Sequence, residues 1–414
     1  MTGSTDRPRW LVIVGAVLIQ SCLGAVYAWS LFNAPLMEKF GWGRESVVLT
    51  FSIVIGVFAL STIPAGQLQD KFGPRIVAMV GGGVLGLGLA LASRASSVVD
   101  LYLAYGVIGG IGIGTAYVTP IATCLKWYPD KRGFIAGISV VGMGLGGVVF
   151  KPVILALIEG VGVSQAFLIL GLVYGSVIMI GAQFLSVPPP GFMPAGWRPP
   201  VESAIRPDLN SMQMLRTPHF WALWAIYVMG CTAGLMVIAT AANIGTEYFG
   251  LSAKTAAYAV VLIAIANAGG RPSWGAISDR IGRSRALVAI YTLTAMSMFV
   301  LAFGPTHIAV FMTAMLMTGF GFGGFLALFP SISADFFGTR HVGMNYGLLY
   351  TAWGCAAFVG AFLRGLGDTQ GSFIAAGFLS IVAGVVALSL RPPAAMRLPG
   401  VPRQDPSLIT GGPP

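Results

Sequence analysis

Charge is scarce in this sequence. Of its 414 residues only 9% are Asp, Glu, Lys or Arg, against 56% that are hydrophobic. A soluble domain covers its surface with far more charge, whereas a bilayer accepts apolar area directly. Histidine and cysteine are equally sparse, with three and four residues. Cys22, Cys124, Cys231 and Cys355 each stand alone in an apolar run, without CxxC spacing or a neighbouring histidine. That excludes a disulfide framework and a cysteine–histidine metal site, and leaves buried free thiols. No GxxxxGK[ST] segment exists. The glycines of Gly110-Ile-Gly112-Ile-Gly114 lie inside an apolar run with no strand before them, so they do not form a phosphate loop. With no nucleophile triad either, neither an enzyme nor a cofactor is expected. The first apolar run, Trp10 to Leu36, is long for a cleavable leader and is expected to be the first span.

What the sequence does contain is long apolar runs. A helix needs about 20 such residues to cross a bilayer. Six runs occupy roughly 10–35, 46–66, 76–94, 100–123, 133–158 and 164–187. A break follows at 188–217, opening on Pro188-Pro189-Pro190; proline at that density excludes regular helix or strand. Six more runs occupy roughly 218–246, 253–275, 286–304, 307–334, 342–363 and 371–390. The tail from 391 is rich in Pro and Gly and reads as disordered.

The net charge of +10 does not point to nucleic acid, because the basic residues sit in short connections between runs. If the N-terminus is cytoplasmic, the outer loops hold only Lys39, Arg44, Arg94, Lys254 and Arg364. Lys151 and Arg271 fall inside helices, and the remaining seventeen Lys and Arg are cytoplasmic. This asymmetry puts both termini in the cytoplasm, as expected for a multi-pass protein of the inner membrane.

The chain also repeats itself. Gly66-x-x-x-Asp70-Lys71-x-Gly73-x-Arg75 follows the second run, and Gly275-x-x-x-Asp279-Arg280-x-Gly282-Arg283 follows the eighth, 209 residues later. Cys22 and Cys231 keep the same offset. Two parallel six-helix halves imply a pseudo-two-fold axis along the membrane normal, with a site between them near the midplane. The expected fold is thus an all-α membrane protein of twelve transmembrane helices in two pseudo-symmetric bundles. Its parts are an N-terminal half at 1–187, a linker at 188–217, a C-terminal half at 218–392 and a tail at 393–414.

The doubled loop motif resembles the signature of the major facilitator superfamily. Gly24-Ala-Val-Tyr27-Ala-Trp29-Ser, Trp127-Tyr128-Pro129-Asp130-Lys131-Arg132-Gly133, Pro218-His-Phe220-Trp221 and Asn345-Tyr346-Gly347 resemble its oxalate/formate antiporter branch, related to the monocarboxylate transporters. The resemblance implies a conformational latch of Asp70, Lys71, Arg75, Asp279, Arg280 and Arg283, with each Asp capping a helix N-terminus.

A charge inside a span costs about 2.5–3.5 kcal/mol or more, so it calls for a role. Arg271 shares a helix face with Asn267 at i, i+4. The resemblance implies that such an arginine faces the central cavity, where a guanidinium matches a carboxylate with paired hydrogen bonds. In monocarboxylate transporters the residue four before it is typically a proton-coupling Asp; here it is Asn267, which cannot ionise. None of the 14 acidic residues lies deep in a run, leaving the substrate carboxylate or Lys151 to carry any coupled proton. Oxalate-type relatives hold a second cation, a lysine, in span eleven; residues 342–363 contain none. One cation balances one carboxylate, which favours a monocarboxylate such as lactate or pyruvate over a dianion. Tyr27, Tyr117, Phe325, Phe329, Tyr350 and Trp353 are the aromatics expected to line the cavity. The expected partners are a small organic anion, a proton and the bilayer, around a monomer.

The topology is tested by labelling. In intact cells, a cysteine introduced as Pro200→Cys is expected to resist an impermeant thiol reagent added outside. Modification from outside would invert the assignment.

Overall fold

The structure is a computed structural model in which residues 8–197, 208–365 and 368–391 are described. Among the described residues, eleven helices are long and apolar enough to cross a membrane. One of them, Arg132–Ala182, runs for 51 residues and carries two spans. Its division falls at Gly162, whose φ of 81° is open to glycine but strained for other residues. The twelve spans are α1 (Trp10–Ala28, extended by Ser30–Phe40), α2 (Arg44–Phe72), α3 (Pro74–Ala92), α4 (Val98–Trp127), α5 (132–161) and α6 (163–182) in the first half. The second half holds α7 (Pro218–Tyr248), α8 (Ala253–Ile281), α9 (Arg283–Phe303), α10 (Ile308–Phe337), α11 (Val342–Gly365) and α12 (Thr369–Ser389).

The helices outrun the apolar runs that announce them, because polar caps and charged last turns still belong to each helix. Thr217 accepts from Phe220 N at 3.2 Å to start α7, and Ser252 accepts from Thr255 N at 3.2 Å to start α8. The linker departs from expectation at its far end. Ser211–Leu215 forms a one-turn helix, closed by a capping box in which Asn210 and Gln213 exchange hydrogen bonds of 2.9 Å. The described stretch 208–217 holds no proline, so the exclusion drawn from the proline-rich start of the linker does not reach it. The expected disorder of the tail concerns residues outside the described ones, apart from Arg391.

Within the first half, small residues let helices meet. Gly106, Gly110 and Gly114 of α4 face Ile53, Val57 and Phe58 of α2, while Gly142 and Gly146 of α5 lie on Val17, Ser21 and Gly24 of α1.

The two halves join at one end of the bundle, where the α2–α3, α4–α5, α8–α9 and α10–α11 connections gather; we call it the basic end. Two crossings close it. Gly66 of α2 lies on Gly343 of α11, and Gly275 of α8 lies on Gly133 of α5. One turn further in, Thr62 meets Gly347 and Arg271 meets Gly137. The repeat explains the pattern. Phe58, Thr62, Gly66 and Asp70 form one stripe of α2, and Asn267, Arg271, Gly275 and Asp279 occupy the positions 209 residues later on α8. The stripes end in matching turns at Gly73 and Gly282, with φ of 86° and 90°.

An added Cβ at Gly343 would sit 2.9 Å from Gly66 O, whereas one at Gly160 meets nothing within 4 Å. Overpacking of this kind costs about 1–3 kcal/mol. Gly343→Val and Gly133→Val are therefore expected to spread the basic end, and Gly160→Val to leave it alone. Spin labels at Lys71→Cys and Arg340→Cys, in a background lacking the four native cysteines, report this as a lengthened distance distribution. An unchanged distribution in both variants would remove the glycine crossings as the closure.

Candidate functional site

Arg271 is the most deeply buried charge at the junction, with 0% of its surface exposed. Helix α8 carries it one turn inside the Gly133–Gly275 crossing. Its Nε donates to Asn267 Oδ1 at 3.2 Å, so the i, i+4 pair read from the sequence is made. Its Nη1 donates to the carbonyl of Val140 on α5, across the interface. Val140 sits where α5 is broken, with φ −104° and ψ 2° between Ser139 and Val141, and its carbonyl also accepts from Met143 N at 3.1 Å. Nη2 has no hydrogen-bond partner. Two bonds thus orient the guanidinium and leave its Nη edge for a ligand. A carboxylate on that edge matches its charge and its geometry.

The tyrosines gather beside this group. Tyr27, Tyr117 and Tyr227 lie within electrostatic range of Arg271. Tyr117 of α4 packs on Tyr350 of α11 with ring centroids 4.6 Å apart, and Tyr350 stacks on Trp353 at 5.3 Å. Tyr27 of α1 is half-buried, with its Cβ over Gly147 of α5. Phe329 stacks on Tyr227 of α7 at 3.8 Å. Phe325 lies one ring further back, against Tyr291 of α9 at 4.9 Å and over Gly230 of α7, and it joins the tyrosines only through Phe329. Lys151 is exposed on α5, outside the group.

Several members escape the sequence reading. Phe58 of α2 touches Tyr117, Tyr350 and Trp353 at 5.0–5.6 Å. Its signal is its place four residues before Thr62, on the stripe that leads to Asp70. Tyr346 packs on Tyr350 at 5.7 Å, and the spacing Tyr346, Tyr350, Trp353 marks one helical face. Tyr227 and the Val140 carbonyl carry no comparable signal; only the packed halves reveal them.

At the basic end the six motif residues behave unequally. Asp279 accepts from Gly133 N and Phe134 N, both at 2.9 Å, and so caps α5 from the other half. Asp70 accepts from Met344 N at 3.2 Å and does the same for α11, while also pairing with Lys126 at 3.2 Å. Arg283 bridges Asp279 at 2.7 Å and Asp335 at 2.8 Å. Arg75 stays within its own half, donating to Gln183 O at 3.3 Å, and Lys71 lies over Phe72 at 5.2 Å. Arg280 is exposed. An ion pair outside the motif adds to the closure: Arg132 of α5 meets Asp335 of α10 at 2.7 Å.

Comparison with known proteins agrees with this architecture. The model of the Major Facilitator Superfamily matches residues 10–245 and 232–411. The oxalate:formate antiporter of Oxalobacter formigenes is 33% identical over 387 residues, covering 92% of this chain and 90% of its own. The apicoplast pyruvate carrier 1 of Toxoplasma gondii is 24% identical, covering 84% of this chain and 82% of its own. Among solved structures, the human organic anion transporter MFSD10 superposes with a TM-score of 0.71 at 15% identity, over 92% of this chain and 100% of that one. Twelve spans in two repeated halves, closed on each other by the doubled loop motif and matched by the family model along nearly the whole chain, make this protein a membrane transporter of the major facilitator superfamily.

Proposed function

We propose that this transporter moves small monocarboxylates of the lactate and pyruvate kind by alternating access, with uptake driven by a proton gradient. The observation that carries the reading is Arg271: one fully buried cation, fixed by Asn267 and Val140, with its Nη2 unpartnered. A substrate carboxylate neutralises it and satisfies it in one step. Asn267, Tyr27, Tyr117, Tyr350 and Trp353 complete the substrate site, with Phe329 and Phe325 behind them. Two relatives point to the same chemistry, one named for oxalate and formate and the other for pyruvate. In this reading both termini and the linker face the cytoplasm of a monomer in the inner membrane. The basic end is then the cytoplasmic gate, held shut by the Asp70 and Asp279 caps, and halves 1–187 and 218–392 rock about the site.

A second reading is anion exchange of the oxalate/formate kind, favoured by the 33% identity to the antiporter. Span α11 speaks against a dianion, because residues 342–363 hold no Lys or Arg to balance a second charge.

Uptake into proteoliposomes separates these readings. Labelled lactate or pyruvate is expected to accumulate under an inward proton gradient without counter-substrate. Uptake that needs counter-substrate and ignores the gradient would establish exchange instead. Arg271→Ala is expected to abolish uptake, and Arg271→Lys to lower affinity at least about tenfold, since an ammonium lacks the two-point fork. Both variants should elute as monodisperse protein. Parent-like transport by Arg271→Lys would refute paired recognition.

Asn267→Asp should make binding depend on pH. The new carboxylate would sit on Arg271 Nε, which favours its ionised form. It would compete with substrate at neutral pH and release the guanidinium only when protonated, so affinity should rise as pH falls. A binding profile with the parent's pH dependence would show that Asn267 and Arg271 do not act together on the ligand.

A further inference from the structure

The end of the linker is built into the second half. Asp208 Oδ1 accepts from Thr339 N at 2.8 Å and from Arg340 N at 3.2 Å, in the turn between α10 and α11. Leu209 is bound at both of its backbone groups. Its N–H donates to Phe337 O at 2.9 Å, and its carbonyl accepts from Asn345 Nδ2 at 2.9 Å. Leu209 and Met214 are buried, at 3% and 0% exposure. Ser211 Oγ lies 3.5 Å from Met344 Sδ. The turn leaves room for the linker: Gly338, with φ of 88°, has no side chain where a Cβ would meet the Asp208 carboxylate. The one-turn helix Ser211–Leu215 then passes to Thr217, which donates to Met214 O at 2.8 Å and caps α7.

The same turn is gripped from the other half. Asp70 accepts from Met344 N, and Gly66 lies on Gly343. Residues 337–345 thus meet two sets of bonds. One set runs to the first half and is given up when the halves part; the other runs to Asp208 and Leu209 within the second half and is not. Ordering a free turn costs conformational entropy, and a turn already held by the linker has met that cost before Asp70 arrives. The first half shows a weaker counterpart. Arg9, just ahead of α1, pairs with Asp130 at 3.2 Å and lies over Tyr128 at 4.4 Å, in the α4–α5 connection that leads to Gly133. Asp130 and Thr339 are 209 residues apart. In both halves, the segment that enters the first helix fastens the turn on which the basic end closes.

We propose that residues 208–215 are a clasp: they hold the α10–α11 turn in the shape that Asp70 and Gly66 require, and so bias the transporter toward the state in which its basic end is closed. The proposal rests on the reading of the basic end as a gate, and is independent of the substrate. It gives a role to Asn345 of the Asn345-Tyr346-Gly347 motif, whose buried side chain donates to the linker. It also makes the linker more than a tether between the halves. Drawing Asp208 and Leu209 away from the turn releases the bonds to Thr339, Arg340, Phe337 and Asn345. It also removes a negative charge from the N-terminal end of α11, where the helix dipole favours one. The helices of both halves are left intact.

The test is a distance measurement across the basic end, with spin labels at Lys71→Cys and Arg285→Cys in the full chain lacking the four native cysteines, reconstituted in lipid vesicles. Both labelled positions are exposed and lie outside the clasp. Asp208→Ala is expected to lower the ratio of closed to open populations about fivefold, the size of a lost helix cap. Asn345→Ala should shift it in the same direction. Asp208→Asn keeps an accepting oxygen in place and should stay within about twofold of the parent. Hydrogen exchange gives a second readout. In Asp208→Ala the amides of 339–345 should exchange about fivefold faster, with those of the matching stretch 130–136 unchanged. Asp208 is exposed, so its variants leave the core packing in place. Gly343→Val is the control that spreads the basic end whatever the linker does. If Asp208→Ala keeps the parent's distances or the parent's exchange while Gly343→Val lengthens the distances, the clasp is overturned and the gate stands. A shift by Asp208→Asn equal to that of Asp208→Ala would overturn it as well. No lengthening in Gly343→Val would overturn the reading of the basic end as a gate, and the clasp with it.

Discussion

A guanidinium without access to water, inside a membrane protein, constrains everything around it. Arg271 cannot lose its proton at any relevant pH, so its charge has to be answered by geometry. The answer is built from both halves of the molecule. Asn267, one turn earlier on α8, receives Nε, and the Val140 carbonyl of α5 receives Nη1. The Val140 carbonyl lies at the irregular point of α5 and accepts both from Arg271 Nη1 and from Met143 N at 3.1 Å. The break in α5 and the arginine of α8 meet across the interface between the halves.

The same interface displays the repeat most plainly. Glycine meets glycine at both crossings, and an aspartate from each half caps a helix of the other. Backbones can approach this closely only where side chains are missing, and the close approach brings each carboxylate to the exposed N–H groups of the opposing helix. The symmetry stops one turn further in. Thr62 occupies the place on α2 that Arg271 occupies on α8, and its hydroxyl donates to Gly347 O at 3.0 Å. A neutral donor suffices there. The charge is therefore placed off the axis, on the C-terminal half, and a ligand bound to it would lean on the aromatic wall of α11 and α7.

The ionic closure is lopsided as well. Beside α11, Asp70 is paired with Lys126 of its own half. Beside α5, Asp335 draws together Arg283 of its own half and Arg132 of the other. Lys126 and Asp335 stand 209 residues apart, so the repeat has kept the position and exchanged the sign of its charge. Such pairs are modest sources of stability where water reaches them. Of these pairs only Arg132–Asp335 joins the two halves, so the two crossings are held by different numbers of ionic bonds.

The sequence by itself determined the twelve spans, the doubled motif, the break between the halves and the pairing of Asn267 with Arg271. All of these follow from local periodicity: about 20 apolar residues to cross a bilayer, 209 residues between copies, four residues between neighbours on a helix face. It also determined that charge within the spans is confined to very few residues, which drew attention to Arg271. Only the tertiary structure decided what answers that charge. Val140 was invisible because a backbone carbonyl has no sequence signature, and Tyr227 because one aromatic among apolar residues resembles any other until a helix from the same half sets Phe329 against it. Phe325 was placed on the site by its helical spacing from Phe329, yet the packing of α7, α9 and α10 draws it one ring away. Among the motif residues, packing also separated Asp70, Asp279 and Arg283, which bind at the closure, from Lys71, Arg75 and Arg280, which do not. Local pattern fixes which face a residue occupies; which partner that face meets depends on two helices 65 to 285 residues apart coming together, as Tyr291 with Ile226 and Thr62 with Gly347 show.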